Sequence, residues 1–185
     1  VATEYQSNSS IKGAIQRMYS STEAMDANGL TINLAWLAAS LVVIACAAWL
    51  IKRLCEEHLL VDAQLVTALT LLLISPVSWS HHWVWLTLII PVFIYRAWTW
   101  LPSGWAAGSL LTVLIAWAAM LLTVPPKWWW GDQVDVHAME RYQKFWVDDF
   151  VWLTIVTGAL FAAAFYASRR NNRNTSTATP APLVS

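Results

Sequence analysis

Two adjacent histidines, His81 and His82, lie in the stretch Ser-Pro-Val-Ser-Trp-Ser-His-His-Trp-Val-Trp, between two long apolar runs. Ionisable side chains beside a membrane segment are costly unless they have a partner or reach water, so they usually have a function there. Imidazole can donate hydrogen bonds and can carry charge near neutral pH. We therefore predict that this pair contacts an anionic group at a membrane surface. The alternative is that both rings are interfacial, hydrogen-bonded and structural.

A metal site is a further possibility for the histidine pair. It needs at least one more His, Cys or carboxylate at a suitable spacing, and His137 on a later loop could approach. Adjacent residues on a helix, however, point about 100° apart, so both rarely reach one ion. We predict no metal and no cofactor.

The N-terminal segment supplies further polar residues. Asn8 and Ser10 precede the run Ile-Lys-Gly-Ala-Ile-Gln-Arg, and either residue type can cap a short helix. An exposed helix N-terminus attracts phosphate. Lys12 and Arg17 add positive charge, and arginine suits bidentate phosphate contact. The segment therefore predicts a phosphate-binding helix, and the alternative is a plain capped surface helix.

The elements that position these residues are predicted to be membrane helices. Of the 185 residues, 58% are hydrophobic and only 12% are charged, whereas a soluble domain is about 25% charged. The apolar runs are roughly 20 residues long, which is enough to span a bilayer as helix, and the 14 tryptophans suit the membrane–water interface. The formal net charge is zero, so no basic surface indicates nucleic acid as a partner.

We predict an all-α, polytopic bundle of about five transmembrane helices. Their predicted ranges are 31–52, 59–75, 83–98 with Pro91 as a kink, 105–124 and 150–168. The chain is thereby divided into an N-terminal segment (1–30), a transmembrane region (31–168) with a loop at 125–149, and a disordered tail (169–185).

Basic residues then lie at alternate helix ends, on one side of the membrane: Lys52, Arg53, Arg96, Arg169, Arg170 and Arg173. The positive-inside rule makes this side cytoplasmic. The N-terminal segment, the histidine stretch and the loop at 125–149 are consequently extracytoplasmic, and the C-terminus is cytoplasmic. We predict a multi-pass protein of the plasma membrane.

Apolar residues recur every four positions in the loop at 125–149: Val134, Ala138, Tyr142 and Trp146. This spacing predicts a short interfacial helix, which either covers the bundle or forms one wall of a lipid-substrate groove. The loop also contains carboxylates that we expect to be solvated: Asp132, Asp135, Asp148 and Asp149.

Three residues in or beside the predicted spans carry polar or reactive groups. Asp62 is expected to be interfacial. Cys46 and Cys55 are expected to be free thiols, since nine helical residues separate them by about 13 Å, which is too far for a disulfide.

Two motifs resemble one glycosyltransferase family. The stretch Ser75–Trp85 and the set Asn8, Ser10, Gly13 and Arg17 are similar to the C-terminal portion of the actinobacterial polyprenyl-phosphate-mannose-dependent α-(1→2)-mannosyltransferases, glycosyltransferase family 87. Ser9 stands where the family pattern has glutamine. The resemblance extends over roughly residues 4–170 and implies part of a C-type glycosyltransferase fold, with mannose transfer to a glycolipid or lipoglycan acceptor at the extracytoplasmic face.

The resemblance also implies roles for individual residues. A carboxylate would take the proton of the acceptor hydroxyl, which attacks the anomeric carbon with inversion while polyprenyl phosphate leaves. We predict donor-phosphate contacts from His81, His82, Arg17 and Lys12. We predict a pocket shaped by Asn8, Ser10, Trp79 and Trp83.

The general base implied by the resemblance is an aspartate upstream of this chain, so we expect the chain alone to be inactive. The implied partners are polyprenyl-phosphate-mannose, membrane lipids, and an acceptor that is either a phosphatidylinositol mannoside or a lipomannan or arabinomannan chain. Two other functions stay open. One is a non-catalytic membrane protein or remnant that binds polyprenyl phosphate, and the other is a small transporter or redox protein that uses the histidine pair.

Overall fold

The structure is a computed structural model that describes residues 4–131 and 134–177, with side chains described up to residue 174. Its α-helices are α1 (Ile11–Arg17), α2 (Thr22–Ala27), α3 (Gly29–Glu56), α4 (Leu60–Ile74), α5 (Leu86–Trp100), α6 (Trp105–Leu121), α7 (Arg141–Val147) and α8 (Asp149–Thr177). Short 3₁₀ helices cover Ser80–Trp85, Leu101–Ser103 and Pro126–Trp128. Within the described ranges no strand forms, so the predicted all-α class is confirmed.

Helices form at each of the five predicted spans, and four helical stretches are long and apolar enough to cross a membrane. These are Gly29–Glu56, Ser80–Ser103, Trp105–Trp128 and Asp149–Asn174. The remaining helix, α4, has 15 residues, which gives about 22 Å of helix against a hydrocarbon core of about 30 Å. The described part of the chain is therefore a polytopic helix bundle in which α4 is shorter than a full span.

The core of the bundle lies where α5, α6 and α8 pack together, and α4 and the end of α3 complete it. Aromatic rings fill the contact between α5 and α8: Phe93 stacks on Phe161 with ring centroids 4.2 Å apart, and Trp100 packs edge-on against the same ring at 5.2 Å. Because lipid tails are as apolar as these side chains, close packing rather than removal from water stabilises such contacts.

The two ends of the bundle differ in chemistry. At the end that we call the basic end, the α3–α4 turn lies near the last turns of α8, and Arg169 forms an ion pair with Glu57 at 3.1 Å. Asp62 of α4 and Arg96 of α5 lie toward this end and form two parallel contacts of 2.8 and 2.7 Å. Asp62 has no exposed surface, because the neighbouring guanidinium allows the carboxylate to be buried. Burial within the bundle does not fix depth in a membrane, so the interfacial position of Asp62 stays a prediction.

At the opposite end, which we call the loop end, three segments meet: residues 4–28, 75–85 and 125–149. The backbone N–H of Ser9 donates to the Ser78 carbonyl at 2.8 Å, and Asn8 and Trp79 form a single antiparallel bridge. The Gln6 amide donates to the Gly131 carbonyl at 2.6 Å. The three segments predicted to share one side of the membrane therefore lie at one end of the molecule.

Two helix boundaries differ from the predicted ones. Helix α8 continues to Thr177 instead of ending at residue 168, so the first part of the predicted tail is helical; residues 178–185 lie outside the described residues. In the loop at 125–149, helix α7 starts at Arg141, well after Val134. Glu140 and Gln143 form a capping box that fixes this start.

Candidate functional site

The first motif, Asn8 to Arg17, forms the turn into α1 and fixes it against the loop at residues 76–78. Ser10 is the N-cap, and its Oγ accepts a hydrogen bond from the Gly13 N–H at 3.1 Å, as predicted from its residue type. The Asn8 side chain accepts from the Ser78 N–H at 2.8 Å and donates to the Pro76 carbonyl at 3.3 Å. Both side chains are fully buried.

Gly13 allows α1 to approach this turn closely. A Cβ at position 13 would lie 2.6 Å from the Asn8 carbonyl oxygen and 3.0 Å from the Asn8 side chain. A backbone atom cannot move aside as a flexible side chain can, so the spacing of Asn8 and Gly13 in the motif has a steric cause.

Arg17 uses every guanidinium donor within the chain. Its Nη1 donates to the carbonyls of Glu4 and Tyr5 at 3.2 and 3.0 Å, and its Nη2 donates to the Asn8 carbonyl at 3.0 Å. Nε donates to Asp148 Oδ1 at 2.9 Å, and Nη2 completes the ion pair with the same carboxylate. Arg17 has no exposed surface. With all five N–H groups in use, it holds the N-terminal segment on the start of α8 and has no donor left for a ligand.

A second buried ion pair lies beside the first. Lys127 Nζ is 3.1 Å from Asp149 Oδ1, donates to Ser9 Oγ at 2.5 Å, and lies 3.3 Å from the centroid of the Phe150 ring. Lys127 is fully buried. Removing one partner of a buried pair leaves an uncompensated charge, which costs about 3–5 kcal/mol. This pair therefore fixes the loop at 125–149 to both the N-terminal segment and α8.

Asp148 and Asp149 are thus buried and ion-paired, and the expectation that they are solvated is wrong for both. Asp135 is exposed and accepts a hydrogen bond from the His137 N–H at 2.9 Å; Asp132 lies outside the described residues.

Sequence patterns also did not identify Ser9 and Lys127 as residues that hold the loop end together. The available signal was weak: the loop-end segments contain five Lys or Arg and eight Asp or Glu, so charge alone does not identify which of them form the buried pairs.

His81 and His82 are exposed at the start of the 3₁₀ helix Ser80–Trp85, with ring centroids 4.3 Å apart. The Trp79 N–H donates to His82 Nδ1 at 3.2 Å. When Nδ1 accepts, the neutral ring carries its proton on Nε2, so His82 can donate a hydrogen bond outward. The pair is held by its backbone and presented to the surroundings, which suits contact with an external anion.

The two predicted pocket tryptophans have different positions. Trp79 is half-buried beside Tyr5, with ring centroids 6.3 Å apart. Trp83 is buried and packs edge-on against Phe150 at 5.2 Å. Trp79 is thus at the surface near the histidines, whereas Trp83 belongs to the core beneath them.

Lys12 and His137 lie on other parts of the loop end. Lys12 is half-buried with Nζ 5.1 Å from the centroid of the Trp36 ring on α3. His137 Nδ1 is 2.9 Å from the Tyr19 carbonyl oxygen, close to the α1–α2 turn. Over residues 4–131 and 134–177, no group of three or more His, Cys, Asp or Glu side chains is arranged to hold a metal ion.

No protein-family model matches the chain, and no solved structure matches it. Three curated proteins are similar to part of the chain. The chain is 28% identical over 158 residues to the polyprenol-phosphate-mannose-dependent alpha-(1-2)-phosphatidylinositol mannoside mannosyltransferase of Mycobacterium tuberculosis. The aligned region covers 81% of this chain and 34% of that protein. It is 35% identical over 89 residues to the protein of the same name from Mycolicibacterium smegmatis, over 42% of this chain and 20% of that protein.

A third relative, the corresponding phosphatidylinositol pentamannoside mannosyltransferase of M. tuberculosis, is 34% identical over 124 residues, covering 67% of this chain and 25% of that protein. The chain thus spans about a third or less of the length of these relatives, and the similarity lies in their C-terminal part. The resemblance predicted from the two motifs is confirmed.

Proposed function

We propose that this chain is the donor-side, C-terminal part of an integral-membrane mannosyltransferase. It would take mannose from polyprenyl-phosphate-mannose and transfer it to a phosphatidylinositol mannoside or a related lipoglycan at the extracytoplasmic face. The names of the similar proteins support the sugar, the donor and the acceptor class. The observation that carries the proposal is the exposed His81–His82 pair at the loop end, supported by the buried ion pairs of Arg17 and Lys127.

The proposed reaction breaks the bond between the anomeric carbon and the donor phosphate. The acceptor oxygen attacks that carbon, the bonding electron pair leaves with the phosphate, and the hydroxyl proton passes to a general base. Negative charge grows on the leaving phosphate, so hydrogen-bond donors already in place lower the barrier. His81 and His82 are the proposed donors. Lys12, which is half-buried on α1, is the proposed second source of positive charge.

Four of the predicted site residues receive a different or narrower role in this proposal. Arg17 is a positioning residue, because all its donors are used inside the chain. Asn8 and Ser10 likewise shape the site through the backbone that they hold. Trp83 supports the histidines from the core, and Trp79 alone is left to flank the sugar or the isoprenoid.

The general base is proposed to come from outside this chain. The two buried carboxylates of the loop end, Asp148 and Asp149, are each held by a cation and have almost no exposed surface, so neither is presented to an acceptor hydroxyl. A preparation of only these 185 residues should therefore bind the donor without transferring mannose. Mannosyl transfer by such a preparation would contradict this part of the proposal.

The test of the donor site is binding of radiolabelled polyprenyl-phosphate-mannose to the chain in lipid nanodiscs. The variant His81→Asn/His82→Asn removes both imidazoles, and asparagine still offers an acceptor for the Trp79 N–H. Loss of a charge-assisted contact of about 1.5 kcal/mol weakens binding roughly tenfold. The control is His58→Asn, which removes an exposed imidazole at the basic end and suits the positive φ of 58° there. Equal affinity of the double variant and the control would overturn the assignment.

A non-catalytic membrane protein that binds polyprenyl phosphate is the second candidate function. The neutralised carboxylates at the loop end favour it, since they leave donor contacts in place without an evident base. The two candidates differ in one measurement on the full natural coding sequence: mannosyl transfer to a phosphatidylinositol mannoside supports the enzyme, and donor binding without transfer supports the second candidate.

A further inference from the structure

An apolar groove runs between α3 and α8 and is also lined by α4. Its volume is about 710 Å³, and its lining includes Cys46, Trp49, Leu69, Gly158 and Ala162. The groove exists because α3 packs mainly on α4 and α8 packs mainly on α6, so α3 and α8 diverge. Nearly all of its surface is hydrocarbon, as expected for a site that holds an acyl chain.

A basic pocket of about 510 Å³ continues the same seam. Its lining includes Arg53, Glu56 and Glu57 of α3 and Tyr166, Arg169, Arg170 and Arg173 of α8. On α3 the groove lining reaches Leu50 and the pocket lining starts at Arg53; on α8 the groove lining reaches Ala162 and the pocket lining starts at Phe165. Each step is three residues, or about 4.5 Å along a helix. The two cavities are therefore consecutive parts of one seam.

The pocket carries an excess of positive charge. Four arginines and two glutamates line it, which gives a formal charge of 4 − 2 = +2. Arg53 pairs with Glu56 at 2.9 Å and Arg169 pairs with Glu57 at 3.1 Å. Both carboxylates of the pocket are therefore already in ion pairs. The Arg169 Nε–H is buried without a hydrogen-bond partner. An anion in the pocket would meet both the excess charge and this donor.

We propose that the α3–α8 seam binds one anionic phospholipid, with an acyl chain in the groove and the phosphate in the basic pocket. Basic pockets between membrane helices suit anionic headgroups, and arginine suits phosphate in particular. Trp49 and Tyr166 stack with ring centroids 4.8 Å apart at the junction of the two cavities. Aromatic side chains occur at this level between hydrocarbon and headgroup.

This lipid site is separate from the proposed donor site. The basic pocket is at the end of the bundle opposite His81 and His82, and none of its lining residues belongs to the loop end. The proposal needs only a membrane-embedded bundle, so it stands whether or not the chain contributes to mannose transfer. An apolar helix from a longer protein or a second copy would fill the groove but would supply no anion to the basic pocket.

The test is native mass spectrometry of the chain released from membranes that contain phosphatidylglycerol and phosphatidylcholine in equal amounts. We expect one retained phosphatidylglycerol per chain and little phosphatidylcholine. Removal of two arginines in Arg170→Gln/Arg173→Gln should lower phosphatidylglycerol retention about tenfold, from the loss of charge-assisted contacts. Arg141→Gln, an exposed arginine at the loop end, is the control and should retain the lipid. Equal retention of the two lipids, or equal behaviour of the two variants, would overturn the proposal.

The groove is tested by a matched pair of glycines. An added Cβ meets no heavy atom within 4 Å at either Gly158 of α8 or Gly108 of α6, and only Gly158 lines the groove. Gly158→Leu should therefore fill the groove and expel the lipid, whereas Gly108→Leu should keep it. Retention by both variants, or a second protein chain in place of the lipid, would contradict the assignment.

A labelling measurement that leaves the lining of the groove and the pocket unchanged gives an independent check. Cys46 lines the groove and its thiol is free. In a Cys55→Ser background, alkylation of Cys46 should slow several-fold when phosphatidylglycerol is added and not when phosphatidylcholine is added. The same slowing by both lipids would count against a selective site.

Discussion

Gly13 shows how single atoms fix the shape of the loop end. The Asn8 carbonyl oxygen occupies the space that a Cβ at position 13 would need, at 2.6 Å. The same carbonyl accepts a hydrogen bond from Arg17 Nη2 at 3.0 Å, so it cannot move without weakening a buried contact. The spacing of Asn8, Gly13 and Arg17 thus results from one packed turn, in which each residue restricts the positions of the other two.

Gly13→Ala is predicted to destabilise the protein by about 1–3 kcal/mol, the usual cost of overpacking. The measurement is the thermal unfolding midpoint in detergent, followed by tryptophan fluorescence. Gly29→Ala is the control: no heavy atom lies within 4 Å of an added Cβ at Gly29, and alanine favours helix over glycine. An unfolding midpoint for Gly13→Ala at or above that of Gly29→Ala would contradict the steric explanation.

Arg17 and Asp148 are predicted to be strongly coupled in stability. Arg17→Gln leaves a nearly buried carboxylate without its cation, which costs about 3–5 kcal/mol. The double variant Arg17→Gln/Asp148→Asn removes both charges and should be more stable than Arg17→Gln alone. The unfolding midpoints of the two single variants and the double variant form a double-mutant cycle. Strict additivity in that cycle would show that the pair does not act as a unit.

At the scale of elements, α4 is held by an ion pair as well as by apolar packing. Asp62 and Arg96 join α4 to α5 through two contacts of 2.8 and 2.7 Å, toward the basic end of the bundle. α4 has 15 residues and, unlike α5, is not extended by 3₁₀ turns at its ends, so it has fewer turns with which to pack. The bidentate pair compensates by fixing both the register and the rotation of α4 against α5.

Loss of Arg96 is predicted to destabilise the protein more than loss of Asp62. The Arg96 side chain is 25% exposed and the Asp62 side chain is fully buried. Arg96→Ala therefore leaves the buried Asp62 carboxylate without a cation, which destabilises the protein by about 3–5 kcal/mol. After Asp62→Ala, by contrast, the guanidinium can turn toward water or headgroups. Urea or heat unfolding in detergent should rank Asp62→Ala above Arg96→Ala in stability. The reverse order would mean that the exposed side of Arg96 is not its route to solvent.

At the scale of the whole molecule, polar chemistry is divided between two ends. The loop end contains the exposed histidines and two buried ion pairs, and the basic end contains the arginines that flank α3 and α8. A bundle with this division has a preferred orientation in a membrane, because cytoplasmic loops carry the excess of Lys and Arg.

The proposed orientation predicts the reactivity of two cysteines toward a membrane-impermeant maleimide. Met18 at the loop end is 78% exposed, and Cys55 near the basic end is exposed. In intact cells, Met18→Cys in a Cys46→Ser/Cys55→Ser background should react, and Cys55 in a Cys46→Ser background should react only after permeabilisation. Labelling of Cys55 alone in intact cells would place the loop end in the cytoplasm and overturn the extracytoplasmic assignment.

The sequence by itself determined the helical class, the helix order and the two motifs. Apolar runs of roughly 20 residues leave little choice in a bilayer, since only helices satisfy their own backbone groups there. Caps were equally local: Ser10 had the right type and spacing to accept the Gly13 N–H. Such features depend on residues within one or two turns, which a sequence displays directly.

The tertiary structure alone decided which charges are buried and which are presented. Arg17 had the residue type of a phosphate ligand, yet Asp148, 131 positions away, takes its charge. Lys127 and Asp149 were read as loop residues, and a contact between Lys127 and Ser9 across 118 positions buries them. Whether a cation binds a ligand or holds a fold depends on the partner that folding brings to it. Partners this distant leave no periodic or local pattern in the chain.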